Sequence, residues 1–485
     1  MNKKTVFNIL GRIILVEAAL LILPTVCAVI YKEKQALISF LITIAVAIAV
    51  GTLLTIFTKT KDLSLYAKEG FVIVALGWIS LSAVGALPFF ISREIPRFID
   101  AFFETVSGFT TTGASILTTY NLSRSMFLWR SFTHFIGGMG ILVLVMAIIP
   151  THTGRSMHMM RAEMPGPIIG KLVPKIKSTA KILYTIYIAL TFLLVILLYL
   201  GKMPLFESLI YAFGTAGTGG FAITAEGIGG FSPYIQWVIT IFMLIFGINF
   251  NLYYLLLTKK FISVFKSGEL WTYISIVLVS TGLIAYNVHS YYNSFEELLR
   301  TSAFQVSSIV TTTGYATADF NLWPTLSKTI LLLLMISGSC AGSTAGGFKI
   351  SRVIIMFKTI KAHLKHLLHS RSIETIRFEG KSVDKTTSIG VLYYFAIYMI
   401  CIFVVFFIVS FDVFDFETNM SATISCFNNI GPALGDAGPA SNYAAFSDVS
   451  KLTLSGAMLL GRLEIFPILL LFSPSVWGKQ RKNQI

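Results

Sequence analysis

Long apolar runs broken by short basic stretches set the pattern of this chain from end to end. Runs near the length that spans about 30 Å of hydrocarbon recur throughout. They predict helices, because a helix satisfies its own backbone polar groups where lipid offers no partner. Two runs, 8–31 and 36–57, are joined by Lys32-Glu33-Lys34 and predict a helical hairpin. One unit then recurs four times: a spanning helix, a half-length helix, a polar glycine-containing loop and a second spanning segment. The first unit has a span at 69–92, a short helix at 97–109, a loop at 110–115 and a span at 124–149. The second has spans at 178–201 and 232–258 and a short helix at 204–215. The third has a span at 270–289, a short helix at 294–310 and a long segment from Trp323. The fourth has spans at 387–411 and 450–472 and a short helix at 416–427. The chain thus divides into a hairpin over 1–67 and four units over 68–160, 161–268, 269–385 and 386–485. The first run is long for a secretory h-region, holds Glu17 and lacks a clear small-residue cleavage site, so it reads as a retained helix.

The four loops read Thr110-Thr111-Thr112-Gly113, Gly217-Thr218-Gly219-Gly220, Thr311-Thr312-Thr313-Gly314 and Asn428-Asn429-Ile430-Gly431. In the second, Gly220 is matched to the other glycines, because Gly220-Phe221-Ala222 parallels Gly314-Tyr315-Ala316. Non-helical backbone at membrane depth is tolerated where it lines a cavity or is buried in protein. Glycine reaches the dihedral angles that turn carbonyls inward, and threonine adds a hydroxyl. Potassium filters are built from four such loops, whose carbonyls replace the ion's hydration shell. Here one chain would supply all four. Acids stand at the starts of the short helices, at Asp100, Glu207, Glu296 and Glu417, where they suit the positive end of the helix dipole. The carbonyl-rich ends then face the loops, and four converging negative ends favour a cation. Phe103 and Phe304 each lie ten residues before their loop glycine. One glycine string alone would read as helix packing; four at matching positions carry the inference.

Composition agrees. The 485 residues are 55% hydrophobic and 13% charged, against about a quarter charged in soluble domains. The net charge of +15 would suggest nucleic acid in a soluble chain. In a membrane chain it labels the cytoplasmic side, so no nucleic-acid partner is expected. Basic clusters fall at Lys3, Lys4 and Arg12; at Lys59, Lys61 and Lys68; from Arg155 to Lys181; at Lys259, Lys260 and Lys266; from Lys349 to Lys385; and at Lys479, Arg481 and Lys482. An even number of crossings separates them if every glycine loop dips in and returns on the opposite side, which puts both termini in the cytoplasm. Cys27, Cys340, Cys401 and Cys426 have no metal-ligand spacing and read as packing residues. His363, His366 and His369 read as part of a basic amphipathic helix rather than a metal site.

The second long segment of the third unit is interrupted by Ile336-Ser337-Gly338-Ser339-Cys340-Ala341-Gly342-Ser343-Thr344-Ala345-Gly346-Gly347. A phosphate-binding reading fails, because no Gly-Lys-Ser/Thr follows. A close helix-packing face or a flexible intramembrane loop beneath the filter remain, and the loop is preferred. Its candidate gating residues are Gly338, Gly342, Ser343, Thr344, Gly346 and Gly347, with Lys349 at the cytoplasmic mouth. Arg462 lies in the final apolar span. A charge there costs ~3 kcal/mol or more unless it is paired or faces water. Glu464, two residues on, does not share its helix face. Arg462 either snorkels to the inner surface or projects into the pore below the loops.

On the four glycine loops, the broken third unit and Arg462, the chain resembles the TrkH-type potassium transport proteins of the Trk/Ktr/HKT superfamily over essentially its whole length. The resemblance implies an all-α polytopic membrane protein with four pseudo-repeats of helix, pore helix, filter loop and helix around a central pore, plus the N-terminal hairpin. It implies a potassium ion bound by Thr110, Thr111, Thr112, Gly113, Thr218, Gly219, Gly220, Thr311, Thr312, Thr313, Gly314, Asn429, Ile430 and Gly431. Gly113 is the potassium-selective form of the first loop, whereas the fourth loop departs from the threonine pattern. It further implies a gate formed by the 338–347 loop and Arg462, a homodimer in the lipid of a bacterial inner membrane, and a cytosolic TrkA-type ring that binds NAD or ATP/ADP. No organic cofactor is expected on this chain. The membrane-depth polar residues are mostly Thr, Ser, Asn and Gly rather than catalytic acids or histidines, which argues against an enzyme. Gated passive flow and symport with sodium or protons are both open.

Overall fold

The computed structural model describes residues 1–59, 67–140, 176–369 and 375–477. Among these, six helices are long and apolar enough to cross a membrane, and a seventh span arises if one bent pair is counted as one. Lys61, Arg155, Arg161, Lys171, Lys175, Lys479, Arg481, Lys482 and the end of the span expected at 124–149 lie outside the described residues.

The N-terminal hairpin comprises α1 (Lys3–Leu20), α2 (Ile22–Ile30) and α3 (Lys34–Phe57). The expected helix over 8–31 is one span, Lys3–Ile30, with a single turn residue, Leu21, between α1 and α2. Pro24 follows within one turn, lacks an N–H and crowds the carbonyl four residues back. Where α1 and α3 meet, a Cβ on Gly11 would lie 2.8 Å from the Gly51 carbonyl oxygen. Paired small residues of this kind let membrane helices approach closely. Glu33 in the hairpin turn accepts the N–H groups of Arg124 at 2.7 Å and Ser125 at 3.0 Å, which ties the hairpin to the first unit.

The first unit has α4 (Ala67–Ile91), α5 (Phe98–Phe109) and α6 (Arg124–Gly138). The second has α7 (Ile176–Leu200), α8 (Leu205–Gly217), α9 (Pro233–Phe246), α10 (Phe250–Leu257) and a short α11 (Phe261–Phe265). The third has α12 (Gly268–Val288), α13 (Phe295–Val310), α14 (Thr325–Ser337) and α15 (Ile350–Leu368). The fourth has α16 (Lys385–Val409), α17 (Phe416–Phe427), α18 (Asp448–Arg462), α19 (Phe466–Leu471) and α20 (Pro474–Trp477). Side-chain caps start several of these helices: Ser232, Ser267, Asp384, Asp415 and Ser447 each accept the backbone N–H three residues on. Hydrogen bonds from Thr387 hold the Asp384 carboxyl below the usual carboxylate range.

Two expected spans are broken. The run 232–258 becomes α9 and α10, which meet at 90°. At the break the Gly247 carbonyl accepts the Cys340 N–H at 3.2 Å, and the Phe250 N–H donates to the Gly342 carbonyl at 3.0 Å. Backbone groups that a continuous helix would pair internally are paired instead by the 338–347 loop, so no proline is needed. The run 450–472 becomes α18 and α19. Glu464 and Ile465 between them adopt φ of 56° and 66°. Arg462 is therefore the last residue of a helix rather than the interior of a span.

The segment after α15 holds a two-stranded antiparallel ladder, β1 (Arg377–Phe378) with β2 (Lys381–Ser382), registered Arg377 to Ser382 and Phe378 to Lys381. Glu379 and Gly380 form its two-residue turn, both with positive φ. The outer surface is apolar. In α16, Ile400, Phe403, Val404 and Phe407 are exposed while Tyr394, Tyr398, Ile402 and Val405 are buried. Polar residues gather inside, and all three threonines of the first and third loops are fully buried. That inversion suits a lipid solvent around a polar axis.

Candidate ion pathway

Helices α5, α8, α13 and α17 begin with acids in their first turns, at Asp100, Glu207, Glu296 with Glu297, and Glu417. Three of the acids pair with cations: Asp100 with the buried Lys451 at 2.6 Å, Glu296 with Arg300 at 2.9 Å, and Glu417 with Lys328 at 2.9 Å. Each helix ends where its loop starts, so its last carbonyls face the loop.

The loops share one backbone course. Thr111, Thr218, Thr312 and Asn429 have φ of 56°, 56°, 55° and 57°. Two residues later, Gly113, Gly220, Gly314 and Gly431 have φ of 79°, 74°, 82° and 101°. Gly220, not Gly219, holds the left-handed position in the second loop. The loops also close on one another. A Cβ on Gly113 would lie 2.0 Å from the Gly219 carbonyl oxygen, on Gly220 2.0 Å from that of Thr313, on Gly314 2.0 Å from that of Ile430, and on Gly431 2.6 Å from that of Thr112. Each loop thus sets one carbonyl against the glycine of the preceding loop, and the fourth returns to the first. The four contacts close into a ring.

Hydroxyls brace the first and third loops alike. Thr110 and Thr112 bond at 2.8 Å through their Oγ1 atoms, as do Thr311 and Thr313. The fourth loop uses amides: Asn429 Nδ2 donates to Thr112 Oγ1 at 3.0 Å and to the Met458 carbonyl at 2.9 Å. Behind the first two loops lies a buried ion pair that sequence reasoning missed, Arg130 Nε to Glu104 Oε1 at 2.5 Å. Its signal was available, because ionisable residues within apolar stretches are rare and functional by default. Above the ring a cavity of about 250 Å³ is lined by the four glycines together with Arg130, Glu226 and Asp319.

The 338–347 loop sits directly below. The Gly346 N–H donates to Thr312 Oγ1 at 2.6 Å, and a Cβ on Gly346 would lie 2.3 Å from the Asn428 carbonyl oxygen. Gly338, Gly342, Gly347 and Lys349 all have positive φ. Ser343 Oγ donates to the Cys340 carbonyl at 2.7 Å, and Thr344 Oγ1 to that of Phe246 at 3.3 Å. Lys349 is buried rather than solvated, and its Nζ donates to the Ala345 carbonyl. Arg462 donates to the Thr344 carbonyl at 2.9 Å and to the carbonyls of Gly137 and Gly138, the latter at 2.7 Å. The Thr344 contact lies within the loop named from sequence; those to Gly137 and Gly138 had no sequence signal. Glu464 pairs with Arg352 at 2.5 Å. A cavity of about 50 Å³ lies among Gly138, Gly346, Gly347, Lys349, Arg462 and Glu464. Glu269 Oε1 accepts the Ala341 N–H at 2.8 Å. Glu379 Oε1, from the β1–β2 turn, accepts the Glu269 N–H at 2.9 Å and the Ser267 hydroxyl at 3.2 Å. The helix holding His363 and His366 is α15, with both histidines exposed.

A family of TrkH cation transport proteins matches residues 36–274 and 272–479. The chain is 35% identical to the Trk system potassium uptake protein TrkH of Salmonella typhimurium over 485 residues, covering 98% of this chain and 100% of that protein. It is 34% identical to the Trk system potassium uptake protein TrkG of Escherichia coli, with 98% of each chain covered. The crystal structure of the potassium transporter TrkH from Vibrio parahaemolyticus shares the fold with a TM-score of 0.88 at 30% identity, covering 99% of this chain and 100% of that one. Matched along nearly its whole length in sequence and in fold, the chain belongs to the TrkH family of cation transport proteins.

Proposed function

We propose that this chain takes up potassium across a bacterial inner membrane through the ring formed by Thr110–Gly113, Thr218–Gly220, Thr311–Gly314 and Asn429–Gly431. The single observation that carries the reading is the closed set of contacts in which each loop glycine abuts the carbonyl preceding the next loop's glycine. Four backbone carbonyls at one level on the axis are the chemistry that replaces a cation's hydration shell. The potassium uptake recorded in the names of full-length relatives gives the ion. The four units are four pseudo-repeats about that axis, with the boundaries expected from the sequence.

The 338–347 loop with Lys349 and Arg462 is the gate in this reading. Support comes from its place under the ring and from the buried Lys349 and the half-buried Arg462, both bonded to carbonyls. A fixed positive charge on the axis opposes a permeating cation. Helix α15 follows the loop directly in the chain and carries exposed basic residues; in this reading it lies on the cytoplasmic side and is the dock for a TrkA-type ring that binds NAD or ATP/ADP. Both termini are cytoplasmic, and the chain works as a homodimer.

Potassium flux into liposomes holding the purified chain tests the reading. The wild type is expected to carry potassium in strong preference to sodium, and Gly113→Ser to lose selective uptake, because its Cβ would lie 2.0 Å from the Gly219 carbonyl oxygen. Unselective wild-type flux would sink the proposal. A reversal potential that follows the sodium or proton gradient would replace gated flow by symport.

A further inference from the structure

We propose that the buried Glu104–Arg130 ion pair sets the selectivity of the pore by holding the outer ends of the first and second loops in fixed register. The inference rests on reading the loops as a potassium filter. Glu104 lies on α5, nine residues before Gly113. Its Oε1 accepts Arg130 Nε at 2.5 Å and the Ser115 hydroxyl at 3.0 Å, and its Oε2 accepts the Ile116 N–H at 2.9 Å. Arg130 lies on α6 and carries the connection across. Its Nη1 donates to the Ala222 carbonyl at 2.7 Å, and its guanidinium carbon sits 3.6 Å from the centroid of the Phe221 ring. Glu104 is 1% exposed and Arg130 3%. One run of charge-assisted bonds therefore joins Ser115 and Ile116, just beyond Gly113, to Ala222, just beyond Gly220. Between those two anchors lies the contact of Gly113 with the Gly219 carbonyl.

The bracing is local to one side of the ring. Tyr211, Gln305 and Ala422 stand nine residues before the other three glycines, and none carries a charge. Gln305 Nε2 donates to the Ala318 carbonyl at 3.1 Å, which lies in its own loop. Stability alone is a weak reason to bury such a pair, since well-packed apolar residues often do as well. Geometry is a better one. A planar guanidinium holds its acceptors at set spacing, a lysine ammonium does not, and discrimination between cations depends on the arrangement of the carbonyls around them. Glu104 and Arg130 are positioning residues: they act on the ion through the backbone they hold.

The test is the ratio of potassium to sodium permeability, from bi-ionic reversal potentials of the full chain in a lipid bilayer. Wild-type protein without potassium preference would remove the filter reading itself and is distinguishable from failure of this inference. With a selective wild type, Glu104→Gln and Arg130→Lys are expected to lower the ratio about tenfold or more while potassium current persists. Arg130→Lys matters most, because it keeps the charge and loses the fork. Ser115→Ala removes one bond of the bracing, leaves both charges in place, and is expected to lower the ratio less. A ratio within about twofold of wild type in a folded Glu104→Gln or Arg130→Lys protein overturns the inference. If neither protein folds, an unchanged ratio in Ser115→Ala overturns it.

Discussion

A methyl group at Gly314 in the ring would lie 2.0 Å from the Ile430 carbonyl oxygen, whereas beneath the ring Arg462 reaches three carbonyls through the far end of a long side chain. The first arrangement is backbone against backbone. It has no adjustable part, and anything larger than hydrogen at those positions must displace a neighbouring loop. The second is side chain against backbone, where each bond can be exchanged for water by a change of rotamer. Adjacent layers of one pathway thus differ in what sets their shape. Steric exclusion fixes the ring, whereas the layer below adds replaceable charge-assisted bonds to its backbone contacts. A selective element needs the first property, and an element that opens and closes needs the second.

The largest expected effect breaks the ring itself. Gly314→Ala adds a methyl group against the Ile430 carbonyl at a residue with φ of 82°. The left-handed backbone alone costs ~1–2 kcal/mol for a residue with a Cβ, and the contact adds to that. Potassium uptake into liposomes is expected to fall to background while the protein still purifies as a single species. Retained selective uptake would mean that the loops move apart freely and that the contrast with the lower layer is false.

Next comes the proposed barrier. Arg462→Gln removes the charge and most of the fork that reaches Thr344, Gly137 and Gly138. Hydrogen bonds to charged groups contribute about 1.5–3 kcal/mol each, so basal rubidium leak is expected to rise more than about tenfold, with potassium over sodium preference retained. An unchanged leak would move the barrier elsewhere.

A smaller effect is expected where the two layers touch. Thr312 belongs to the ring, and its Oγ1 accepts the Gly346 N–H of the loop below. Thr312→Val keeps the branched shape and leaves that N–H unpaired, at about 1–3 kcal/mol. Basal leak should rise between about twofold and tenfold, with selectivity altered far less than by Gly314→Ala. Equal loss of both would show that ring and loop are one mechanical unit.

Much of the ring was legible in the sequence because it is a backbone device, and backbone devices announce themselves through glycine. Two identical Thr-Thr-Thr-Gly strings and two looser ones mark residues that share the same pair of left-handed positions. The lower layer was legible only in part. Arg462 and the 338–347 loop could be named, one as a charge among apolar residues, the other as a helix that glycine interrupts. Their partners could not. Gly137 and Gly138 offer bare carbonyls, which carry no residue-type signal. The break between α9 and α10 was hidden because the loop of another unit supplies its hydrogen bonds. Glu104 and Arg130 could have been found from burial cost alone, but their bonds to Ile116 and Ala222 depend on packing across two units.

The smallest expected effect concerns how the lower layer is tied to the β1–β2 turn. Glu269 Oε1 accepts the Ala341 N–H of the loop, and Glu379 in the β1–β2 turn accepts the N–H of Glu269 in turn. Glu269→Gln keeps an acceptor oxygen at the same place and removes only the charge, so basal leak is expected to stay within about twofold of wild type. Glu269→Ala leaves the Ala341 N–H without its acceptor and should raise leak severalfold. Glu379→Ala acts one step further out and should fall between the two. If the graded order holds, the tie works through hydrogen-bond geometry, as it does at Arg462 above it. If Glu269→Gln is as leaky as Glu269→Ala, the charge of Glu269 beside the buried Lys349 matters instead. The lower layer would then be an electrostatic balance rather than a set of replaceable bonds.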